Sequence, residues 1–91
     1  WGIISGAADP ERVDKGFRKA CEILVREKDH IIALLDPPFY KTAMKPGYIK
    51  GYLAGTRENG GQYTHAATWM ILAAVLRGEG TRALNMYQLI N

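Results

Sequence analysis

The sequence predicts an all-α fold made of helices of the kind that build an α/α barrel, and three observations predict it. From Ala66 to Leu76 the chain is apolar around the whole helical circumference, with Thr68 as the one polar interruption. Such a helix is buried on all sides. Beyond a short Gly78-Glu79-Gly80 link, the stretch from Thr81 to Ile90 is amphipathic. The two helices therefore form an antiparallel pair, the first inside and the second outside. A long irregular stretch rich in glycine and proline leads into the inner helix. An all-apolar inner helix, an amphipathic outer helix and a long ordered loop at one end are the units of an α/α barrel. Three helices and a loop cannot close one.

The first element is a helix from about Pro10 to Lys28. Asp9 is a good N-cap because its carboxylate accepts from free backbone N–H groups. Pro10 suits the first helical position, where its missing donor costs nothing. Val13, Phe17, Ala20, Cys21 and Leu24 recur at helical spacing and form its apolar face. From Asp29 to about Thr64 the periodicity breaks. His30-Ile31-Ile32-Ala33-Leu34-Leu35 reads as a short strand or a buried turn, and Asp36-Pro37-Pro38 stops any regular element. Pro46 and the glycines at 47, 51, 55, 60 and 61 keep the stretch irregular. A loop this long is rare in a compact small domain unless it is functional or supported by a larger body. The inner helix runs from His65 or Ala66 to Arg77, and Gly78 ends it as a C′ residue. Ala83, Leu84, Tyr87 and Ile90 form the inner face of the last helix.

Length and charge narrow the function classes. Ninety-one residues make at most one small domain, and a chain of this size buries only about 60–65% of its unfolded surface. Yet 47% of the residues are apolar, which argues against intrinsic disorder. The net charge of +3 is spread out. Lys15, Arg18, Lys19, Arg26 and Lys28 alternate with Glu11, Asp14, Glu22 and Glu27, so no basic face forms and nucleic acid is not expected as a partner. Cys21 is the sole cysteine. It excludes an internal disulfide and a Cys-rich metal site, fits a reducing cytoplasmic setting, and reads as a small core residue. The apolar run Ala66–Leu76 is shorter than the roughly 20 residues a bilayer span needs, and no signal-peptide pattern is seen. Because the chain opens at Trp1 and not at Met, it is expected to be cut from something longer.

The densest cluster of polar side chains and glycines is Gly55-Thr56-Arg57-Glu58-Asn59-Gly60-Gly61-Gln62-Tyr63-Thr64-His65, directly before the inner helix. A helix N-terminus favours anions through free N–H groups and partial positive charge. Gly60 and Gly61 let the backbone approach a ligand or adopt positive φ. Arg57 and His65 suit phosphate, and Glu58, Asn59 and Gln62 are groups that hydrogen-bond sugar hydroxyls. The plain alternative is a polar loop with a Gly-Gly turn and a capping histidine.

Pro46-Gly47-Tyr48-Ile49-Lys50-Gly51-Tyr52, followed by Arg57-Glu58-Asn59-Gly60-Gly61-Gln62-Tyr63-Thr64-His65-Ala66-Ala67-Thr68-Trp69, resembles the signature of glycoside hydrolase family 94, the inverting β-glycoside phosphorylases and cyclic β-1,2-glucan synthases. Trp1, with Ser5-Gly6-Ala7-Ala8-Asp9-Pro10-Glu11-Arg12, and Leu34-Leu35-Asp36-Pro37-Pro38-Phe39 resemble neighbouring stretches of the same family, so the similarity covers nearly the whole chain. The resemblance implies that residues 1–91 are part of one (α/α)6 catalytic domain, incomplete at both ends. It implies cleavage of β-glucosidic bonds by direct attack of inorganic phosphate with inversion, or the reverse reaction. The implied general acid is an aspartate upstream of this segment, so no catalytic residue is assigned here and the segment alone is expected to be inactive. By motif position His65 resembles the phosphate-binding histidine, with Gly60 and Gly61 beside it. Arg57 and Glu58 resemble the pair that contacts the leaving-group sugar, and Asn59 and Gln62 go with them as substrate contacts. Many members have Lys in place of Arg57, two prolines in place of Leu53-Ala54, and Asp in place of Lys45. The Gln62-Tyr63-Thr64 form resembles cyclic β-1,2-glucan synthases and β-1,2-glucan phosphorylases more than cellobiose or chitobiose phosphorylases.

The implied partners are a β-glucan or β-glucoside, glucose 1-phosphate, phosphate as co-substrate, the remainder of the same barrel, and a second copy in a homo-oligomer. No cofactor and no metal are expected. The implied location is cytoplasmic, or the cytoplasmic side of the inner membrane in a cyclic glucan synthase. Among the other polar residues, His30 reads as a surface or capping group, Asp36 as a turn starter and Asp29 as a helix-end residue. Tyr48, Tyr52 and Tyr63 serve either sugar stacking or a small loop core. Trp69, four residues past His65 on the same helix face, reads as packing under the site. Two alternatives of other classes are a catalytically inactive carbohydrate-binding or structural relative and a small helical binding module.

Overall fold

The structure is a computed structural model that describes all residues, Trp1–Asn91. In chain order it contains α1 (Gly2–Ser5), α2 (Pro10–Leu24), β1 (Val25–Arg26), a 3-10 turn at Glu27–Asp29, β2 (Ile31–Ile32), a 3-10 turn at Gly47–Gly51, α3 (Thr64–Leu76) and α4 (Gly80–Ile90). Helix accounts for 56% of the chain. The mainly helical expectation holds, but there are four α-helices instead of three, together with a small antiparallel ladder.

Helix α2 starts as its sequence dictates. The Asp9 side chain accepts from Arg12 N at 3.1 Å, and Pro10 takes the first turn. Its end differs from expectation. It stops at Leu24, four residues early, because Val25 turns extended and pairs with Ile32 while Arg26 pairs with Ile31. Helix loses the competition where β-branched residues on both arms favour the extended state. The arms join through the 3-10 turn, and His30 closes it with φ 55°, its N–H donating to Glu27 O. That is the capping role expected of His30. Asp36 pairs with Arg26 at 2.6 Å, tying the start of the long connection back to the ladder.

Helices α3 and α4 form the expected antiparallel hairpin. Gly78, at φ 74°, closes α3: its N–H donates to Val75 O, and Glu79 N donates to Ala74 O. This pair of bonds satisfies carbonyls that a helix end otherwise leaves orphaned. Arg77 locks the corner onto α2. Its guanidinium reaches Asp14 at 2.6 Å and Glu79 at 2.8 Å and lies 4.9 Å over the Phe17 ring. Those hydrogen bonds from Arg77 hold the carboxyls of Asp14 and Glu79 below their ordinary values.

The core is one cluster of Phe17, Cys21, Ile32, Ala67, Ala73, Ala74, Ala83 and Met86. Alanines at the α3–α4 contact let the two backbones approach closely. Two expectations are corrected. On α4 the buried positions are Ala83 and Met86, whereas Leu84 and Tyr87 are exposed. Helix α3 is not buried all round: Trp69, Leu72, Val75 and Leu76 are open, the last two more than half exposed. Its alanines at 67, 73 and 74, with Met70 and Ile71, face the chain's own core. The molecule is a slab of 38 × 30 × 19 Å, and 19 Å holds only about two helix layers at the usual spacing of roughly 8–10 Å. Apart from Trp1 against Trp69, that open side of α3, with Leu72, Val75 and Leu76, is left uncovered.

Candidate functional site

The polar motif before α3 folds into a tight, internally bonded loop. Gly55 N donates to Asn59 O at 2.8 Å, Asn59 N to Thr56 O at 2.9 Å and Gly61 N to Arg57 O at 3.1 Å. Arg57 and Glu58 stand at the tip, with Arg57 at φ 46°. A non-glycine residue there is uncommon and costs of order 1–3 kcal/mol unless its surroundings impose it.

Asn59 imposes it. Its side chain is fully buried; Oδ1 accepts from Phe39 N at 2.7 Å, and Nδ2 donates to Phe39 O at 2.9 Å and Tyr52 O at 2.8 Å. Three stretches of the long connection are thereby gathered on one amide. Asn59, expected as a sugar contact, here spends its amide on the framework of the loop. Gln62 is also engaged within the chain. Its Oε1 accepts from Ile32 N at 3.0 Å and its Nε2 donates to Thr64 Oγ1, so its amide joins the loop to β2 and to the start of α3. Backbone bonds reinforce the join, with Leu34 N donating to Gly61 O.

Gly60 and Gly61 are required by packing. Gly60 sits at φ 93°, where a Cβ would meet Pro38 Cγ at 2.9 Å, and a Cβ on Gly61 would meet Arg57 N and O at 2.9 Å. The Gly61 N–H is already spent on Arg57 O. Within this chain the glycine pair, expected beside the phosphate, shapes the turn.

The remaining motif residues fall into two groups. At the tip, the Arg57 guanidinium lies 4.9 Å over the Tyr52 ring, and Tyr48 meets Tyr52 edge-on at 6.1 Å. Glu58 is half-buried, and its Oε2 is shielded from solvent without any hydrogen-bond partner; Arg57 Nε, at 4.0 Å, is beyond bonding reach. The two structural roles open to Glu58 are not taken. Lys50 donates to Thr42 O instead, and no side chain caps α3. A shielded, unpaired carboxylate oxygen costs about 1–3 kcal/mol.

The second group stands on α3. His65 is exposed in the first turn, and its Nε2 accepts from Trp69 Nε1 at 3.2 Å. Tyr63 lies 6.4 Å from the His65 ring, and Trp1 lies 5.1 Å from Trp69. The first intrahelical bond is Ala67 N to Tyr63 O, so the opening turn of α3 keeps free donors. The stacking of Trp1 on Trp69 had no signal in the sequence, since the two are remote along the chain. Two cavities lie elsewhere, one between α2 and α4 and one beneath Trp1 and Trp69, and neither is lined by Arg57, Glu58 or His65.

A protein-family model described as the catalytic domain of the glycosyl hydrolase 94 superfamily matches residues 1–91. Cyclic beta-(1,2)-glucan synthase NdvB of Rhizobium meliloti is 41% identical over 91 residues, which is 100% of this chain and 3% of that protein. The 3-O-beta-D-glucopyranosyl-beta-D-glucuronide phosphorylase of Paenibacillus borealis is 38% identical over 85 residues, 91% of this chain and 10% of the relative. Solabiose phosphorylase of the same organism is 29% identical over 90 residues, 99% of this chain and 12% of the relative. The chain thus spans a small fraction of the length of the relatives it matches. No solved structure matches it. No helix is long and apolar enough to cross a membrane.

Proposed function

The chain belongs to the glycosyl hydrolase 94 superfamily, and from that premise we propose that it is a segment of an enzyme acting on β-glucosidic bonds by inverting phosphorolysis, or the reverse, with inorganic phosphate as nucleophile. The substrate class proposed is a β-1,2-glucan, in a β-1,2-glucan phosphorylase or a cyclic β-1,2-glucan synthase. The observation that carries this choice is the 41% identity to the cyclic β-(1,2)-glucan synthase along the full chain. Residues 1–91 form part of one (α/α)6 catalytic barrel, and the uncovered large apolar residues of α3 support neighbours there. The working location is cytoplasmic or on the cytoplasmic side of a membrane.

Each group of the site then has a task. His65, with the open first turn of α3 behind it, binds phosphate, since N–H donors and the helix dipole favour an anion. Glu58 accepts from hydroxyls of the leaving-group sugar, and Arg57 beside it adds donors. The unpaired Oε2 of Glu58 supports this role, because a sugar hydroxyl would supply the bond the chain withholds. Asn59, Gly60, Gly61 and Gln62 hold the tip and the helix start in register. The proton for the leaving oxygen comes from a general acid outside these residues.

The complete enzyme, supplied with β-1,2-linked oligoglucosides and phosphate, is expected to release glucose 1-phosphate of the α anomer, because inversion at a β-linked carbon gives α. Proton NMR of the product reads both yield and anomer. Product of the β anomer, or release that does not depend on phosphate, would overturn the mechanism.

A further inference from the structure

We propose that Trp69 is a positioning residue that sets the tautomer of His65, so that the imidazole offers Nδ1–H, and not Nε2–H, to the bound anion. The proposal rests on the reading of His65 as the phosphate ligand and assigns the atom that does the binding.

The indole nitrogen is a donor only. Trp69 Nε1 stands 3.2 Å from His65 Nε2 and donates to it. While that bond stands, Nε2 carries no proton, and the single proton of the neutral ring is on Nδ1. Nδ1 has no hydrogen-bonding partner within the chain, and His65 is exposed. The opposite tautomer would set an Nε2–H against the indole N–H, two donors facing one another, and would turn a lone pair toward the ligand. A phosphate oxygen needs a donor, so the tautomer decides whether His65 attracts the anion or opposes it.

The indole is itself held in place. It is four residues along the same helix, its ring centre lies 5.8 Å from that of His65, and Trp1 lies against it at 5.1 Å with the planes tilted by 41°. Trp69 is also 38% exposed, so anchoring in the core does not account for its orientation. The pattern is that of a metal-bound histidine, where the partner of one ring nitrogen fixes what the other can do; here the fixed nitrogen is an acceptor and the free one a donor.

The complete enzyme tests this in three ways. Trp69→Phe keeps an aromatic ring against Trp1 and removes the N–H with the pyrrole part of the indole. It is expected to raise the KM for phosphate about threefold to tenfold, the loss of one hydrogen bond, with kcat and the sugar KM little changed. His65→Asn places an amide N–H where Nδ1 stands, whereas His65→Gln places one where Nε2 stands. The Asn variant is expected to retain more phosphate affinity than the Gln variant, and adding Trp69→Phe to it should bring no further loss. Nitrogen-15 NMR of histidine-labelled enzyme is expected to show a protonated Nδ1 for His65, giving way to a tautomer mixture in Trp69→Phe. A Gln variant better than the Asn variant, an unchanged phosphate KM in Trp69→Phe, or a protonated Nε2 would overturn the proposal while leaving His65 at the phosphate. If His65→Ala itself leaves the phosphate KM unchanged, the reading of the site has failed and the proposal falls with it.

Discussion

Replacing Asn59 should loosen the whole connection between β2 and α3, because one buried amide holds three backbone groups. In Asn59→Ala, Phe39 N, Phe39 O and Tyr52 O lose their partners at once. Each hydrogen bond contributes about 0.5–1.5 kcal/mol net, so the local loss is about 1.5–4.5 kcal/mol if water does not replace the amide. Hydrogen exchange through local opening reads such a loss directly. At about 1.4 kcal/mol per factor of ten, the amides that close the loop should exchange roughly one to three orders of magnitude faster. Those amides are Leu34, Phe39, Gly55, Asn59 and Gly61. Amides in α2 and α4 should not change, since neither helix hydrogen-bonds to the Asn59 side chain. Asn59→Asp is the sharper variant. It keeps an acceptor for Phe39 N but sets a carboxylate oxygen against the carbonyls of Phe39 and Tyr52, so it should open the loop at least as much as alanine despite matching the shape. Exchange across residues 33–62 that stays at the parent rate in both variants would refute the assignment of Asn59 as the hub.

Glu58→Gln in the complete enzyme should lower kcat/KM for the glucan or acceptor sugar roughly 10- to 150-fold, the cost of a charged hydrogen bond of about 1.5–3 kcal/mol, while the phosphate KM changes far less; a lower melting temperature with unchanged acceptor ranking would return Glu58 to a structural role. Gly60→Ala should destabilise the loop, since φ 93° and a Cβ at 2.9 Å from Pro38 Cγ act together, and thermal melts alongside Gly16→Ala, where nothing lies within 4 Å, provide the contrast. Burial raises the Cys21 thiol above its ordinary range, so alkylation of the folded protein should be slow at neutral pH and become fast in denaturant; rapid labelling of the native state would contradict the burial. Asp14 and Glu79 are depressed by hydrogen bonds from Arg77, so their contribution is complete above the ordinary carboxylate range and lost as pH falls through the lower folded values. Melting temperature should therefore drop on acidification below that range, and the drop should be shallower in Arg77→Ala.

The parts of this chain that the sequence revealed are those set by near neighbours. Asp9 and Pro10 begin α2, Gly78 ends α3, and the apolar run between His65 and Arg77 forms a helix, because capping, φ preference and burial are local or periodic signals. What stayed hidden depended on partners distant along the chain. Val25 and Arg26 read as helix until Ile31 and Ile32 are seen to pair with them. Asn59 and Gln62 read as ligand groups because the side chain that binds a sugar hydroxyl also binds a backbone amide. Only the fold shows that Phe39 and Tyr52 engage Asn59 and that Ile32 and Thr64 engage Gln62. Glu58 runs the other way. Lys50 and the start of α3 are structural partners a carboxylate there could take, and the structure leaves its Oε2 bonded to neither.

Uncovered apolar surface and the proposed phosphate group share one side of α3. His65, Trp69, Leu72 and Leu76 are spaced by four, three and four residues, which places them along one stripe of the helix. At 1.5 Å per residue, Leu72 lies about 10 Å along the axis from His65. Any element that covers Leu72 and Leu76 in the complete barrel therefore passes close to the His65 ring. Covering that stripe does two things at once. It removes the apolar side chains from water, at roughly 25 cal/mol per Å², and it lowers the local dielectric, which strengthens the attraction of the imidazole N–H and the helix start for an anion. The sugar-side tip is built differently. Arg57 and Glu58 are held by a hydrogen-bonded loop complete within this chain, so their geometry is set before neighbours arrive, whereas the strength of the phosphate side depends on the wall the neighbours provide.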